Sequence, residues 1–266
     1  MRLIVFAALV GLVAASPVRA GPPDARTIMQ RMKTALEPER PSTRTIVLAM
    51  HAADGSTTEW TAHQARKRLP DGNWILTVML GPDDVKGVGL LIRESKDHPD
   101  EQWMYLPMVR RVRKIVPVGA YESFLGTDFT LADLGFVTPP ARKFSSLGDE
   151  TVAEKSAYKV QEMLTGQPYY YSRVVSWVAK DTMLPLRRDY YDVANQLWRT
   201  QLYQDVAVVD GVPTVLRIRM DDRFQDTNTE LRVSEVWYDA AIPDELFDPQ
   251  KLPEASKHPL WAPHHP

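Results

Sequence analysis

The side chains able to do chemistry in this 266-residue chain are few and scattered. It contains no cysteine, which excludes thiol catalysis, thiolate-held metals and disulfides. The six histidines are His51, His63, His98, His258, His264 and His265. His51 and His63 fall in adjacent predicted strands and could approach one another. No third ligand of convincing spacing accompanies them, so a satisfied strand histidine is the simpler reading. His258, His264 and His265 lie in "SKHPLWAPHHP", a proline-rich tail that could weakly chelate a metal or be merely a mobile end. The pairs Asp83–Asp84 and Asp221–Asp222 fall at strand ends, where carboxylates favour turns and solvent. "GVGLL" at 87–91 has two glycines of a dinucleotide fingerprint but neither the third nor a helix after it. No GxSxG, HExxH or P-loop is present. Nothing recommends an enzyme, and neither a metal nor a cofactor is expected.

One stretch does carry concentrated chemistry. In "QWMYLPMVRRVRKI", residues 102–115, an aromatic and apolar run stops at Pro107 and is followed by Arg110, Arg111, Arg113 and Lys114. These cations have three readings. They blunt an exposed sheet edge, they dock an acidic partner, or they recognise a phosphate headgroup. Nucleic acid is a poor fourth candidate, because the formal charge of the whole chain is −2.

The elements that must position these residues follow from pattern. "MRLIVFAALVGLVAASPVRA" has an early Arg2, an apolar run and small residues at 18 and 20, and reads as a secretory signal peptide cleaved after Ala20. A soluble, periplasmic protein without a lipidation cysteine is the expectation. Cleavage would remove Arg2 and Arg19 from the 32 basic residues, leaving 30 against 34 acidic and a net charge of −4. "PDARTIMQRMKTAL", 23–36, places Ala25, Ile28, Met29, Met32 and Leu36 on one helical face, with Asp24 as N-cap.

Beyond it the pattern is β. Strands are predicted at 45–51, 57–68, 74–80, 85–93, 102–106, 143–147, 157–164, 170–179, 185–192, 197–208, 214–221 and 230–238. "VVDGVP" around Asp210 and Gly211 marks a hairpin. Two stretches break the run: "DFTLADLGF" at 128–136, where Thr130 and Asp133 form a capping-box-like start of a short helix, and "IPDELFDPQKL" at 242–252. A single antiparallel meander of this length must curl, split or close. The expected organisation is a signal peptide at 1–20, one domain at 21–255 and a Pro/His-rich tail at 256–266. Whatever fills the concavity decides its use: a fixed filling makes a core, a removable one a ligand cavity.

The stretch from "EQWMYLPMVRRVRKI" through "SFLGTDFTLADL" resembles the outer-membrane lipoprotein-sorting family, the group of LolA-like periplasmic carriers. The resemblance rests on Trp103, Tyr105 and Pro107, on the basic segment, and on Ser123, Phe124, Gly126, Asp128 and Phe129; "IPDELFDPQKL" also looks like the family's C-terminal element. It implies a mainly β fold, an incomplete and strongly curved antiparallel β-barrel with helices covering an apolar cavity that receives acyl chains. The chain departs from LolA in its length, its basic segment and its Phe-x-Gly-x-Asp-Phe element.

On that reading Met32, Trp74, Leu76, Met79, Trp103, Tyr105, Phe124 and Phe129 are candidate cavity residues, each also readable as ordinary core. Arg110, Arg111, Arg113 and Lys114 are candidate rim or docking residues. Gly126 and Asp128 are candidates for a loop that gates the cavity, Gly126 through a positive φ and Asp128 by accepting backbone hydrogen bonds. The implied partners are lipid or lipoprotein acyl chains, an inner-membrane transporter and an outer-membrane acceptor. An accessory subunit of an RND-type lipid exporter is the alternative, and an enzyme acting on a lipid or glycan a third.

Overall fold

The computed structural model describes residues 23–70, 72–95, 100–116, 119, 121–134, 142–164 and 171–262. The expected leader and His98, His264 and His265 lie outside them. The chain starts with helix α1 (Ala25–Leu36). Strands β1 (Ser42–His51), β2 (Thr57–Leu69), β3 (Gly72–Gly81), β4 (Gly89–Arg93), β5 (Glu101–Leu106) and β6 (Arg111–Ile115) follow. After the 116–141 connection come β7 (Arg142–Val152), β8 (Lys155–Leu164), β9 (Arg173–Ala179), β10 (Pro185–Tyr191), β11 (Leu197–Val209), β12 (Val212–Asp222) and β13 (Thr227–Tyr238). Three short 3-10 helices, Asp244–Phe247, Pro249–Lys257 and Pro259–Trp261, complete the described chain.

All thirteen strands form one antiparallel sheet in the order β6-β5-β4-β3-β2-β1-β13-β12-β11-β10-β9-β8-β7. Each half is a meander, and the first and last strands pair with one another. The free edges are β6 and β7, so the sheet does not close into a barrel. It does curl. Ile92 of β4 and Val174 of β9, far apart in strand order, belong to one continuous core, which a flat sheet would forbid. That core fills the concave face. Along β3, Ile75 and Met79 point into it, whereas Leu76 and Val78 join a second core on the convex face.

The convex core explains why β3 and β4 read as nearly unbroken apolar runs rather than as alternation. The 3-10 segments lie over the outside of β2–β6, and Leu246, Phe247, Leu252 and Ala255 are buried there against Ala65, Leu76, Val78 and Leu91. Arg93 pins the segment by donating from Nη2 to the Phe247 carbonyl at 2.5 Å. Residues past 255 also pack against the sheet: Trp261 stacks on His63 at 4.9 Å and donates Nε1–H to the Ala255 carbonyl at 2.7 Å.

Several local readings hold in detail. Asp24 caps α1 by accepting the Thr27 N–H at 3.0 Å, and the five apolar residues of the predicted face are the buried ones. Asp210 and Gly211, at φ 49° and 80°, make the tight β11–β12 turn. Others need correction. The strand expected over 85–93 begins only at Gly89, because Gly87 turns with positive φ and donates its N–H back to the Met79 carbonyl at 2.8 Å. The basic segment, absent from the predicted strands, forms β6. Thr130 and Asp133 do make reciprocal capping contacts, at 2.8 and 3.1 Å, but within the described residues these close a turn and not a helix.

Phe247 is fully buried, at 0 % exposure, and meets Trp74 edge-on at 5.8 Å. Phe247→Ala is expected to cost about 3–5 kcal/mol in urea unfolding, whereas Val208→Ala, at an exposed strand position, should stay within about 0.5 kcal/mol.

Candidate functional site

The concave face of β1–β5 is an apolar wall built by strand alternation, with Ile46, Leu48, Ala62, Ile75, Leu90 and Ile92 among its residues. Two pieces of chain outside the sheet pack into the concavity, one on this wall and one on the other arm. The first is the loop at 121–134, which lies in the connection between the two free edges. Ser123 and Thr130 form an isolated bridge, and the Phe124 N–H donates to the Phe129 carbonyl at 2.8 Å, which folds the loop back on itself. Gly126 sits at φ 89° with open space around it, so its conformation and not crowding favours glycine there. The fold-back turns Phe124 and Phe129 into the concavity, where they are 1 % and 2 % exposed, and Leu131 and Leu134 follow.

Asp128 ties this loop to the sheet. It accepts from the Thr227 hydroxyl at 2.5 Å and the Thr229 hydroxyl at 2.7 Å, both on β13, while its own N–H donates to Thr229 Oγ1 at 3.0 Å. The partners are therefore threonine side chains, not the backbone groups expected from sequence. A carboxylate suits this place because it can accept several hydrogen bonds at once.

The second cover is α1. Its apolar face packs on β7, β8 and β12, burying Ile28, Met29 and Met32 against Val160, Val178, Tyr203 and Val215. Its C-terminal turn reaches the opposite arm. Lys33 pairs with Glu94, just beyond β4, at 2.8 Å and lies 4.0 Å from Glu37. Asn73 of β3 donates through one amide nitrogen to both Glu37 and Glu94. A side chain at Gly72 would collide with the Glu94 carbonyl, so the close approach of these strand ends requires glycine. Burial, helped by the charge of Glu37 and opposed by Lys33, pushes the Glu94 carboxyl up to about 8. Burial likewise raises the Glu37 carboxyl, against the pull of Lys33 and Arg66. Helix α1 thus spans the two arms, held by apolar packing at one and a polar latch at the other.

The interior of the β8–β12 arm is polar by comparison. Glu162 receives Arg142 at 2.9 Å and Arg188 at 3.8 Å. Arg199 pairs with Asp222 at 3.1 Å, and Asp222 also accepts Trp198 Nε1–H at 2.9 Å. Burial pushes the Tyr171 phenol up, keeping it neutral beside Arg199. These groups satisfy one another, as buried charges must.

The candidate cavity residues divide among three places. Met79, Phe124 and Phe129 meet in the concave core, and Met32 belongs to the core under α1. Trp74, Leu76, Trp103 and Tyr105 face the convex side with the C-terminal segment, where Arg93 lies over Trp74 at 4.5 Å and over Trp103 at 5.4 Å. The expected single lining is thus split by the sheet itself, since successive residues of a strand point to opposite faces.

The basic segment is an edge strand, paired only with β5. Lys114 pairs with Glu101 and lies over Trp103, while Arg110 occupies the preceding turn at φ 51°. By register with Met104 and Leu106, Arg113 and Arg111 share the concave side at the open edge. His51 and His63 do not meet. His63 lies opposite Thr45, six positions from His51 along β1, or about 20 Å. His51 shares a hydrogen bond with Thr57 at 2.9 Å. Among the described residues no group of three His, Asp or Glu could hold a metal.

The latch residues Lys33, Glu37, Asn73 and Glu94 were not anticipated. Their only sequence signal is polarity at the ends of apolar elements.

Among the described residues no helix is long and apolar enough to cross a membrane. No curated protein matches the chain. A family model described as "Uncharacterized protein" matches residues 71–254, more than half of the chain. Three solved structures share the fold. A Vibrio parahaemolyticus domain named for outer membrane lipoprotein sorting is 23% identical, with 85% of this chain and 97% of that one covered and a TM-score of 0.79. A DUF1329 family protein from Desulfovibrio piger is 25% identical, with 86% and 97% covered and a TM-score of 0.79. A LolA superfamily protein from Nitrosomonas europaea is 16% identical, with 85% and 98% covered and a TM-score of 0.68. The chain belongs to the family whose model spans 71–254, and its open, covered sheet has a LolA-like fold.

Proposed function

We propose that this protein is a non-enzymatic periplasmic carrier that shields acyl chains of a lipid or lipoprotein and passes them between inner-membrane and outer-membrane partners. The observation that supports it best is the apolar concave wall covered by the 121–134 loop, with α1 spanning from the other arm, each piece held by a small polar tie. A removable filling turns a core into a cavity.

The magnitudes allow such an exchange. Withdrawing Phe124, Phe129 and Leu131 forfeits about 1.5–3 kcal/mol each, or roughly 5–9 kcal/mol. An acyl chain of about 16 carbons gains on the order of 12 kcal/mol at ~0.8 kcal/mol per CH₂. The cargo can therefore displace the plug, yet it would leave into water very slowly, so handover needs a docked partner. Arg110, Arg111 and Arg113 at the open edge offer such a partner a charged rim.

An accessory subunit of an exporter is the second reading. It is favoured by the same two phenylalanines, which already fill the concavity.

The Glu94 carboxyl titrates well above its ordinary value of 4.5, at about 8. The folded, latched state therefore holds the proton more tightly than the open chain. Its contribution is full below about pH 4.5 and is lost as the pH rises through about 8.

Three outcomes follow. Native mass spectrometry of protein isolated from the periplasm should find an acyl lipid in stoichiometric amount; an empty protein retaining a transporter subunit would favour the accessory reading. Asp128→Ala should lower stability by about 2–3 kcal/mol and accelerate uptake of a fluorescent fatty acid; unchanged stability and uptake would remove the loop from the mechanism. The melting temperature should fall between pH 5 and 8.5 more steeply in the wild type than in Glu94→Gln, and parallel curves would contradict the latch.

A further inference from the structure

At the end of the concave face nearest the α1–β1 connection, the interior stops being apolar. Arg44 of β1 is in phase with Ile46 and Leu48, and Arg66 of β2 lies opposite Ser42. Arg44 and Arg66 are therefore diagonal neighbours on one face of the sheet. Tyr238 of β13 flanks Ser42 on the other side. A cavity of about 20 Å³ opens here, with Ser42, Arg44, Arg66 and Glu37 in its wall. One water needs roughly 10–15 Å³, so a compact polar group fits.

Most cations around this cavity have acidic partners. Arg40 is gripped by Asp239 at 2.9 and 2.5 Å, Lys67 meets Asp244 at 2.5 Å, and Arg68 reaches Glu39 at 4.0 Å. Arg66 and Arg44 differ. Arg66 donates Nε–H to the neutral amide of Gln64 at 2.9 Å; Arg44 meets the Tyr238 hydroxyl with its guanidinium, but its Nε is buried with no hydrogen-bond partner. Among the described residues no carboxylate lies within ion-pair distance of either guanidinium. Glu37, in the same wall, bonds Asn73 and lies near Lys33 through Oε2, while its Oε1 is buried without a hydrogen-bond partner and the carboxyl acts on Arg66 and Arg68 only through space. Burial and the charge of Arg66 push the Arg44 guanidinium down to about 10, which still leaves it charged at neutral pH.

Two neighbouring guanidiniums beside a buried cavity, one with an unmade hydrogen bond, form a costly arrangement unless an anion completes it. Their planar forks match the paired oxygens of a phosphate. We infer that Arg44 and Arg66 form a binding site for a compact oxyanion of the phosphate type at the end of the apolar wall. The anion is either the headgroup of a bound amphiphile or free phosphate, which present the same oxygens.

Calorimetric titration of the full chain at constant ionic strength tests this, with inorganic phosphate, dioctanoyl phosphatidate and uncharged dioctanoylglycerol as probes. The wild type should bind the phosphate-bearing probes, and Arg44→Met and Arg66→Gln should each weaken them about tenfold or more, the effect of losing one charged hydrogen bond. Arg44→Met should also melt no lower than wild type in phosphate-free buffer, because it removes an uncompensated buried charge. Equal affinity for phosphate and phosphatidate assigns the site to the free anion, and much tighter phosphatidate binding assigns it to a headgroup. No phosphate-dependent binding, or binding that both variants retain, would overturn the inference. Dioctanoylglycerol bound alike by wild type and variants would in that case leave the carrier reading standing.

Discussion

The pairing of β1 with β13 is the constraint on which the rest of this structure depends. Ser42–His51 and Thr227–Tyr238 run antiparallel through ten matched positions, with one register shift between Thr45 and Ile46. This seam joins two meanders that would otherwise be separate sheets. It also makes β6 and β7, which follow one another in the chain, the two free edges. Their connection must cross the open side of a curled sheet, and its described part drops into the concavity. A topological fact, that the first strand meets the last, thus delivers Phe124 and Phe129 to the centre of the fold. Thr227 and Thr229, which hold Asp128, lie on that same seam strand.

The sheet is buried on both faces over β2–β5, and this divides its roles. The convex side is sealed by the C-terminal segment through Phe247 and Leu252 and through Arg93 bonded to the Phe247 carbonyl. The concave side is covered by elements with few polar ties. One side therefore resembles permanent core, and the other is held by fewer ties, as the proposed exchange requires. The same contrast appears across the sheet, where the β8–β12 arm carries satisfied ion pairs such as Arg199–Asp222 and the β1–β5 arm is nearly bare of charge until Arg44 and Arg66. An amphiphile with chains on the apolar wall and an anionic end at those arginines would match that gradient.

Much of the fold was legible because its signals are local. The buried face of α1, its Asp24 cap and the Asp210–Gly211 turn each depend on residues within a few positions of one another. The site was less legible because its determinants are distant. Strand alternation separates Leu76 from Met79, but when both faces are apolar it cannot say which one a C-terminal segment will cover. The cover on Trp74 and Trp103 comes from beyond residue 240, and Asp128 finds its threonines about a hundred positions away. Arg44 is in phase with Ile46 and Leu48 but falls one residue before the strand predicted at 45–51, so its place on the buried face went unread. The basic run at 110–114 escapes the strand pattern because its cations interrupt the apolar alternation that strand recognition relies on, but its reading as a blunted sheet edge matches its place as edge strand β6.

The most direct test of the carrier proposal is to cross-link a lipid bearing a photoreactive group near the end of its acyl chain to the purified protein and map the adducts by peptide mass spectrometry. The proposal predicts adducts on the concave residues of β1–β4, such as Leu48, Ile75 and Leu90, and on the 121–134 loop. Adducts confined to the convex face around Trp74, Trp103 and the C-terminal segment, or no specific adducts, would contradict it.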